Sequence, residues 1–157
     1  MLKTYLRIHL VQAEPMTRGE YNTHRGWSPP AGEDQTERGY HVVYPDGYES
    51  WCPKFEFERQ GFQIQSENAI TKRDIDAFRA IGTQTATKIG KKTTLVSRTY
   101  STGIEDYATS SCVDPANFDL DTGAMFAAQK LDDRLWMVLG WALAWALNGV
   151  CQKFSDD

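Results

Sequence analysis

A run of five basic residues without an intervening acid is the part of this sequence with the clearest chemical potential. Between Asp76 and Glu105 the only charged side chains are Arg79, Lys88, Lys91, Lys92 and Arg98. Guanidinium and ammonium groups bind phosphate, and Tyr100 and Tyr107 are placed to stack on a nucleotide base. The pattern predicts an anion site in which Lys91, Lys92 and Arg98 hold phosphate. The alternative is that these cations protect a sheet edge against aggregation.

Motifs with a known catalytic use are incomplete. Residues 89–93 are similar to the end of a phosphate loop, but Thr85 stands where the first glycine belongs, and Lys91 is followed by a second lysine. Asp132 and Asp133 project about 100° apart on a helix, which predicts a solvated face and no paired-carboxylate site. We therefore expect no enzymatic activity and no cofactor.

The histidines and cysteines are too scattered to predict a metal site. The three histidines, His9, His24 and His41, fall in different elements and show no ligand spacing. The cysteines at positions 52, 112 and 151 form an odd, widely spaced set, which predicts reduced thiols in place of a disulfide framework. No metal is expected.

The composition predicts a globular protein that binds neither nucleic acid nor membranes. The chain has 157 residues, of which 41% are hydrophobic, and its net charge is −4. A negative net charge disfavours electrostatic attraction to nucleic acid or to anionic lipid. No basic stretch followed by an apolar one opens the chain, so we expect no signal peptide.

The first 62 residues predict one small module. Alternating apolar residues predict a strand over residues 3–11 that Pro15 ends, and the polar, Gly- and Pro-rich residues 17–38 predict a long loop unless their start forms a helical turn. Aromatic runs on both sides of Asp46-Gly47 predict a β-hairpin, because both residues tolerate the positive φ of a tight turn. A short helix is predicted over residues 54–59.

A linker at residues 63–70 leads to a second module over residues 71–150. Thr71 is predicted to cap a helix that ends near Gly82. Strands over residues 93–99 and 107–113 predict a second hairpin, and a long helix follows from Asp119, with Asn117 or Asp119 as its cap. The predicted class is α+β, with two modules that each hold an antiparallel β-hairpin and a helix, closed by the long C-terminal helix.

The second half of the long helix predicts self-association. Residues 135–147 carry no charged or amide side chain and span about 20 Å, short of the ~30 Å hydrocarbon core of a bilayer. Tryptophans on opposite sides require cover all round. We expect a homodimer or higher oligomer through Trp136, Leu139, Trp141 and Trp145. The alternative is that the N-terminal module folds back over the helix.

Two segments resemble phage proteins. The turn Val113–Asp119, followed by Gly123 in an Ala-rich helix, resembles the phage gene-product-49/66 family of small early proteins over residues 71–148. Residues 1–62 resemble an accessory module of tailed-phage proteins, with marks that include Arg25-Gly26-Trp27 and residues 39–53. The first resemblance implies a helix, a hairpin and a closing helix, and makes Asn117 a candidate ligand contact.

Together these resemblances imply a phage-encoded, non-catalytic accessory protein. The accessory module occurs in phage proteins that counter host defence, so we expect action in the host cytoplasm. The preferred mechanism is sequestration of a small phosphate-bearing signal such as a cyclic nucleotide. The alternative is a protein–protein inhibitor that occludes a host defence protein.

Overall fold

The computed structural model describes residues 1–153 and confirms the α+β class. It contains two three-stranded antiparallel sheets and four α-helices. In chain order the elements are β1 (Gln12–Thr17), α1 (Arg18–Arg25), β2 (Arg38–Val43), β3 (Glu49–Pro53), α2 (Lys54–Gln60), α3 (Lys72–Ala80), β4 (Thr83–Ile89), β5 (Thr93–Thr99), β6 (Glu105–Ser111) and α4 (Leu120–Asn148).

The chain divides into two units. The first unit comprises Met1–Gln63 with Ala146–Gly149, and the second comprises Ile64–Trp145 with residues 150–153. Residues 64–70 of the predicted linker lie in the second unit. There the backbone N–H of Gln65 donates to Asp74 at 3.0 Å, and Ile70 packs beside Ile75.

The first strand does not lie where the sequence predicts it. Residues 3–11 form no strand, and β1 begins at Gln12 and includes Pro15. β1 is an edge strand in the order β1–β2–β3, and an edge strand tolerates a proline because it has no second neighbour to bond. The predicted strand is therefore wrong, and the pairing of β1 with β2 decides its true position.

A helix occupies the start of the predicted long loop. Thr17 caps α1 in a reciprocal arrangement with Glu20, and Gly26, at φ 67°, ends the helix in the left-handed conformation. Polar contacts hold the loop that follows: the buried Asn22 donates to Glu33 at 2.7 Å and to Gln35 at 2.9 Å. These contacts keep α1 and its loop against each other.

The hairpin predicted around Asp46-Gly47 and the helix after it are confirmed. β2 pairs with β3 over five residues, and Gly47 adopts φ 83° in the turn. α2 follows directly and packs against β2, where the rings of Tyr40 and Phe57 stack with centroids 4.3 Å apart.

The second sheet has one strand more than predicted. β4 pairs with β5 along its whole length, and β5 pairs with β6. Threonines dominate β4 and only Ala86 is partly buried, so the strand lacks the apolar alternation that reveals strands in a sequence. β4 is an edge strand, which explains why its sequence is so polar.

The two helices of this unit begin as their caps predict. Thr71 and Asp74 cap α3 reciprocally, and Asp119 accepts from the Thr122 N–H at 2.7 Å at the start of α4. α4 lies against the sheet, where Val96 and Leu131 contribute to a fully buried cluster. Within residues 1–153, no helix combines the length and the apolar character that crossing a bilayer requires.

Candidate functional site

The structure brings two of the predicted ligand-binding residues, Lys92 and Asn117, into one groove. Lys91 and Lys92 are exposed in the tight turn between β4 and β5, and Lys92 lines a cavity of about 140 Å³ that also includes Asn117 and Thr94. The Lys92 ammonium donates to the carbonyl of Val113 at 3.2 Å. The cavity lies at the start of α4, where backbone N–H groups favour an anion.

One hydroxyl in this groove is unpartnered. Thr94 is 1% exposed, and its Oγ1 has no hydrogen-bond partner among the described residues. The Asp119 carboxylate also lines the groove and repels a second negative charge. An anion in this groove would therefore meet both the attraction of Lys92 and the repulsion of Asp119.

Arg98 and Tyr100 do not reach this groove. The Arg98 side chain is 0% exposed, and its Nη1 lies 2.9 Å from Asp132 Oδ1. Its Nε and Nη2 donate to Gln84 at 2.9 and 2.7 Å. Tyr100 is buried in a cluster with Ile75. The predicted phosphate and stacking roles of these two residues are corrected, because Arg98 is enclosed against Asp132 of α4, and Tyr100, just past the end of β5, is buried against α3 and α4.

Asp132 also differs from its prediction. It is buried, and it receives Arg79 Nη1 at 3.0 Å in addition to Arg98. The sequence predicts a solvated face here because Asp132 and Asp133 project about 100° apart on the helix and do not converge on a site. Both partners come from strands and helices far away in the chain, so only the fold reveals this ion pair.

Tyr107 points away from the groove. It is exposed on β6, and its hydroxyl donates to Glu105 at 2.8 Å. This hydrogen bond and the nearby negative charge raise the pKa of Tyr107. Tyr107 lines a separate depression of about 230 Å³ with Lys130 and Arg134. The predicted pairing of Tyr107 with Lys91 and Lys92 is therefore not formed.

The predicted self-association residues divide between two faces of α4. Trp136 and Leu139 pack inward, against the cluster that contains Leu135. Trp141 is 61% exposed, and its ring meets that of Trp145 edge to face at 5.1 Å. An interface on this helix would thus use Trp141 and Trp145, whereas Trp136 and Leu139 belong to the interior of the second unit.

A cluster that the sequence analysis misses lies in the first unit. The Nε2 atoms of His24 and His41 lie 2.8 and 2.7 Å from the same oxygen of Glu49, and the two rings are 4.7 Å apart. Hydrogen bonds from His24 and His41 hold the pKa of Glu49 below its ordinary value. No sequence spacing relates residues 24, 41 and 49, because a helix and two strands bring them together.

The comparisons with known proteins identify the family. Residues 60–147, more than half of the chain, match the model of the Phage protein (N4 Gp49/phage Sf6 gene 66) family. The chain therefore belongs to this bacteriophage family, which confirms the resemblance of the second half. No curated protein and no solved structure matches the chain. The resemblance of residues 1–62 to an accessory module stays a prediction.

Proposed function

We propose that this phage protein is a non-catalytic accessory protein that occludes a surface of a host defence protein in the host cytoplasm. The observation that carries the proposal is the exposed apolar face of α4, formed by Met137, Val138 and Trp141. The resemblance of residues 1–62 to a module of counter-defence phage proteins supports the same direction of action.

The three side chains of this face form one continuous stripe. At about 100° per residue, they fall within an arc of about 100° on one side of the helix. Removing each from water contributes roughly 1.5–3 kcal/mol. Clusters of this kind on a protein surface mark binding sites, and tryptophan is among the residues that most often dominate binding energy. The α4 face thus has the chemistry of a protein-binding surface.

A second copy of the chain is the competing occupant of the α4 face. Twofold symmetry would place Trp141 near the same residue of the other copy, as the predicted homodimer requires. Light scattering on the purified chain separates the two occupants, since a mass of one chain leaves the face available to a host protein.

A pull-down from host lysate tests the proposal. Trp141→Asp introduces a charge at the centre of the α4 face and is expected to abolish capture of a host protein. Ile104→Asp is the matched control, because Ile104 is an exposed apolar residue in the turn between β5 and β6. Equal capture by wild type and Trp141→Asp overturns the proposal. If the purified chain is a dimer and captures no host protein, the α4 face is assigned to self-association instead.

Sequestration of a phosphate-bearing nucleotide is the second candidate, and the groove at Lys92 favours it. Lys92, Asn117 and the unpartnered Thr94 hydroxyl offer a cation and polar groups around one small cavity. Its volume of about 140 Å³ admits a phosphate group, while the base would remain outside. Lys91, in the same turn, adds a second positive charge.

Calorimetry with a panel of cyclic nucleotides tests this second candidate. Lys92→Ala is expected to remove binding, whereas Lys54→Ala, at an exposed lysine on α2, should leave it unchanged. The absence of heat for every nucleotide rejects sequestration, and equal binding by Lys92→Ala rejects this groove as the site.

A further inference from the structure

Three side chains with metal-binding atoms converge in the first unit. His24 lies in the last turn of α1, His41 in β2 and Glu49 at the start of β3. One ligand atom from each lies within 4.8 Å of the other two. Each element is held independently, since Gly26 ends α1 and the hairpin turn fixes the two strands.

The strand register explains why His41 and Glu49 share a face. His41 lies opposite Glu14 on β1 and opposite Trp51 on β3. Glu49 lies two residues before Trp51, so its side chain projects on the same side of the sheet as that of His41. The end of α1 then brings His24 onto this face.

We propose that His24, His41 and Glu49 bind a divalent transition-metal ion of the zinc class, through the two Nε2 atoms and a carboxylate oxygen. Two imidazoles and one carboxylate form a donor set suited to zinc, cobalt or nickel. Calcium and magnesium are disfavoured because they prefer oxygen donors throughout.

A second carboxylate supports this assignment. Glu14 Oε1 lies 3.2 Å from Nδ1 of His41, on the side of the ring away from Glu49. When a metal takes the place of the Nε2 proton, a carboxylate in this position holds the remaining proton on Nδ1. Metal-bound histidines usually have such a partner on the second ring nitrogen.

The distances are close to those that a metal requires. Zinc binds nitrogen at about 2.0–2.1 Å and carboxylate oxygen at about 2.0–2.2 Å, so neighbouring ligands in a tetrahedral site lie about 3.3 Å apart. The two nitrogens now lie 2.8 and 2.7 Å from the Glu49 oxygen. An opening of roughly half an ångström, with release of the Nε2 protons to water, replaces the hydrogen bonds with bonds to the metal.

The exposure of the ligands allows both this opening and access for the ion. The side chains of His24 and Glu49 are 43% and 30% exposed, whereas that of His41 is 10% exposed. The ring of the buried Tyr21 lies 5.7 Å from that of His41 and walls the inner side. One coordination position therefore faces solvent, and the ion ties α1 to the β2–β3 hairpin.

Titration of the full chain, after treatment with a chelator, tests the proposal. Zinc chloride is followed by calorimetry, and cobalt chloride by its visible absorption. We expect one ion per chain and a higher melting temperature with the metal present. Glu14→Gln should weaken binding roughly 10–100-fold, and His24→Gln should weaken it further.

His9→Gln is the matched control, because His9 is an exposed histidine of the same unit outside the cluster. It should bind zinc as the wild type does. His24 is chosen for replacement because its exposure makes a folding defect small, which circular dichroism verifies. No zinc binding by the wild type, or equal binding by the wild type and His24→Gln, overturns the proposal.

Discussion

Each of the two sheets carries a charged cluster, and the clusters differ in their access to water. In the second sheet, Arg98 is fully enclosed and pairs with Asp132, which also receives Arg79. In the first sheet, Glu49 accepts from two histidines, and both Glu49 and His24 are partly exposed. The charges of Arg98 and Asp132 are neutralised within the protein. The cluster around Glu49 has a side open to solvent, from which an ion can enter.

The exposure of a polar residue to water indicates whether it is available for binding. A buried charge must be compensated inside the protein, so Arg98 and Asp132 each require the other and are unavailable to a ligand. Groups that keep contact with water bear little desolvation cost and can exchange one partner for another. The open cluster is therefore a better candidate for binding than the basic residues that the sequence brings to attention first.

The largest expected effect comes from breaking the enclosed pair. Arg98→Met leaves the Asp132 carboxylate buried with only Arg79 as a counter-charge, and should lower the free energy of unfolding by about 3–5 kcal/mol. Urea denaturation measures the loss, and Arg98→Met with Asp132→Leu should recover much of it. Lys54→Met, which breaks a surface ion pair, is the control. If Arg98→Met lowers the free energy of unfolding no more than this control does, the Arg98–Asp132 pair is not shielded from water.

The contact between α4 and its sheet should produce the next largest effect. A Cβ at Gly123 would lie 2.1 Å from Thr94 Oγ1, so Gly123→Ala should cost about 1–3 kcal/mol. A Cβ at Gly140, on the same helix, would meet no other side chain or strand of residues 1–153 within 4 Å, and Gly140→Ala should stabilise by about 0.5–1 kcal/mol. Thermal unfolding of both variants provides the comparison. If both substitutions stabilise the protein or both destabilise it, the close approach of Gly123 to Thr94 is contradicted.

Asp74 is a buried carboxylate whose contribution to stability should depend on pH. Burial raises its pKa, but hydrogen bonds from Thr71 and Gln65 outweigh that effect and hold the pKa below its ordinary 3.8. A lowered pKa means that Asp74 stabilises the fold above pH 3.8 and loses this contribution as the pH falls further.

Asp74→Asn should therefore cost about 1 kcal/mol at pH 7. The difference from wild type should shrink below pH 3.8, which urea denaturation at several pH values measures. A constant difference from pH 7 to pH 3 would show that the charge of Asp74 has no part in its role as the cap of α3.

The smallest effect is expected at the open cluster in the absence of metal. With a chelator present, Glu49→Gln should change the melting temperature far less than Arg98→Met, because water replaces the lost contacts of the histidines. Differential scanning fluorimetry makes the comparison. A loss as large as that of Arg98→Met would mean that the two clusters have the same structural role.

Much of the architecture is predictable because its signals are local. Thr71 predicts the start of a helix, and Asp46-Gly47 predicts a hairpin turn. Each signal involves residues only a few positions apart. The two missed strands, β1 and β4, are edge strands. An edge strand buries little, so Pro15 and a run of threonines are tolerated and leave no apolar alternation to recognise.

The α+β class, the long closing helix and the phage family follow from the order of the residues, since caps, turns and apolar runs act over a few positions. The enclosure of Arg98 and the convergence of His24, His41 and Glu49 arise only when the chain is folded. Those outcomes depend on strand register and on which helix covers which face. Contacts between distant residues arise from that register and packing, and no spacing along the chain encodes them directly.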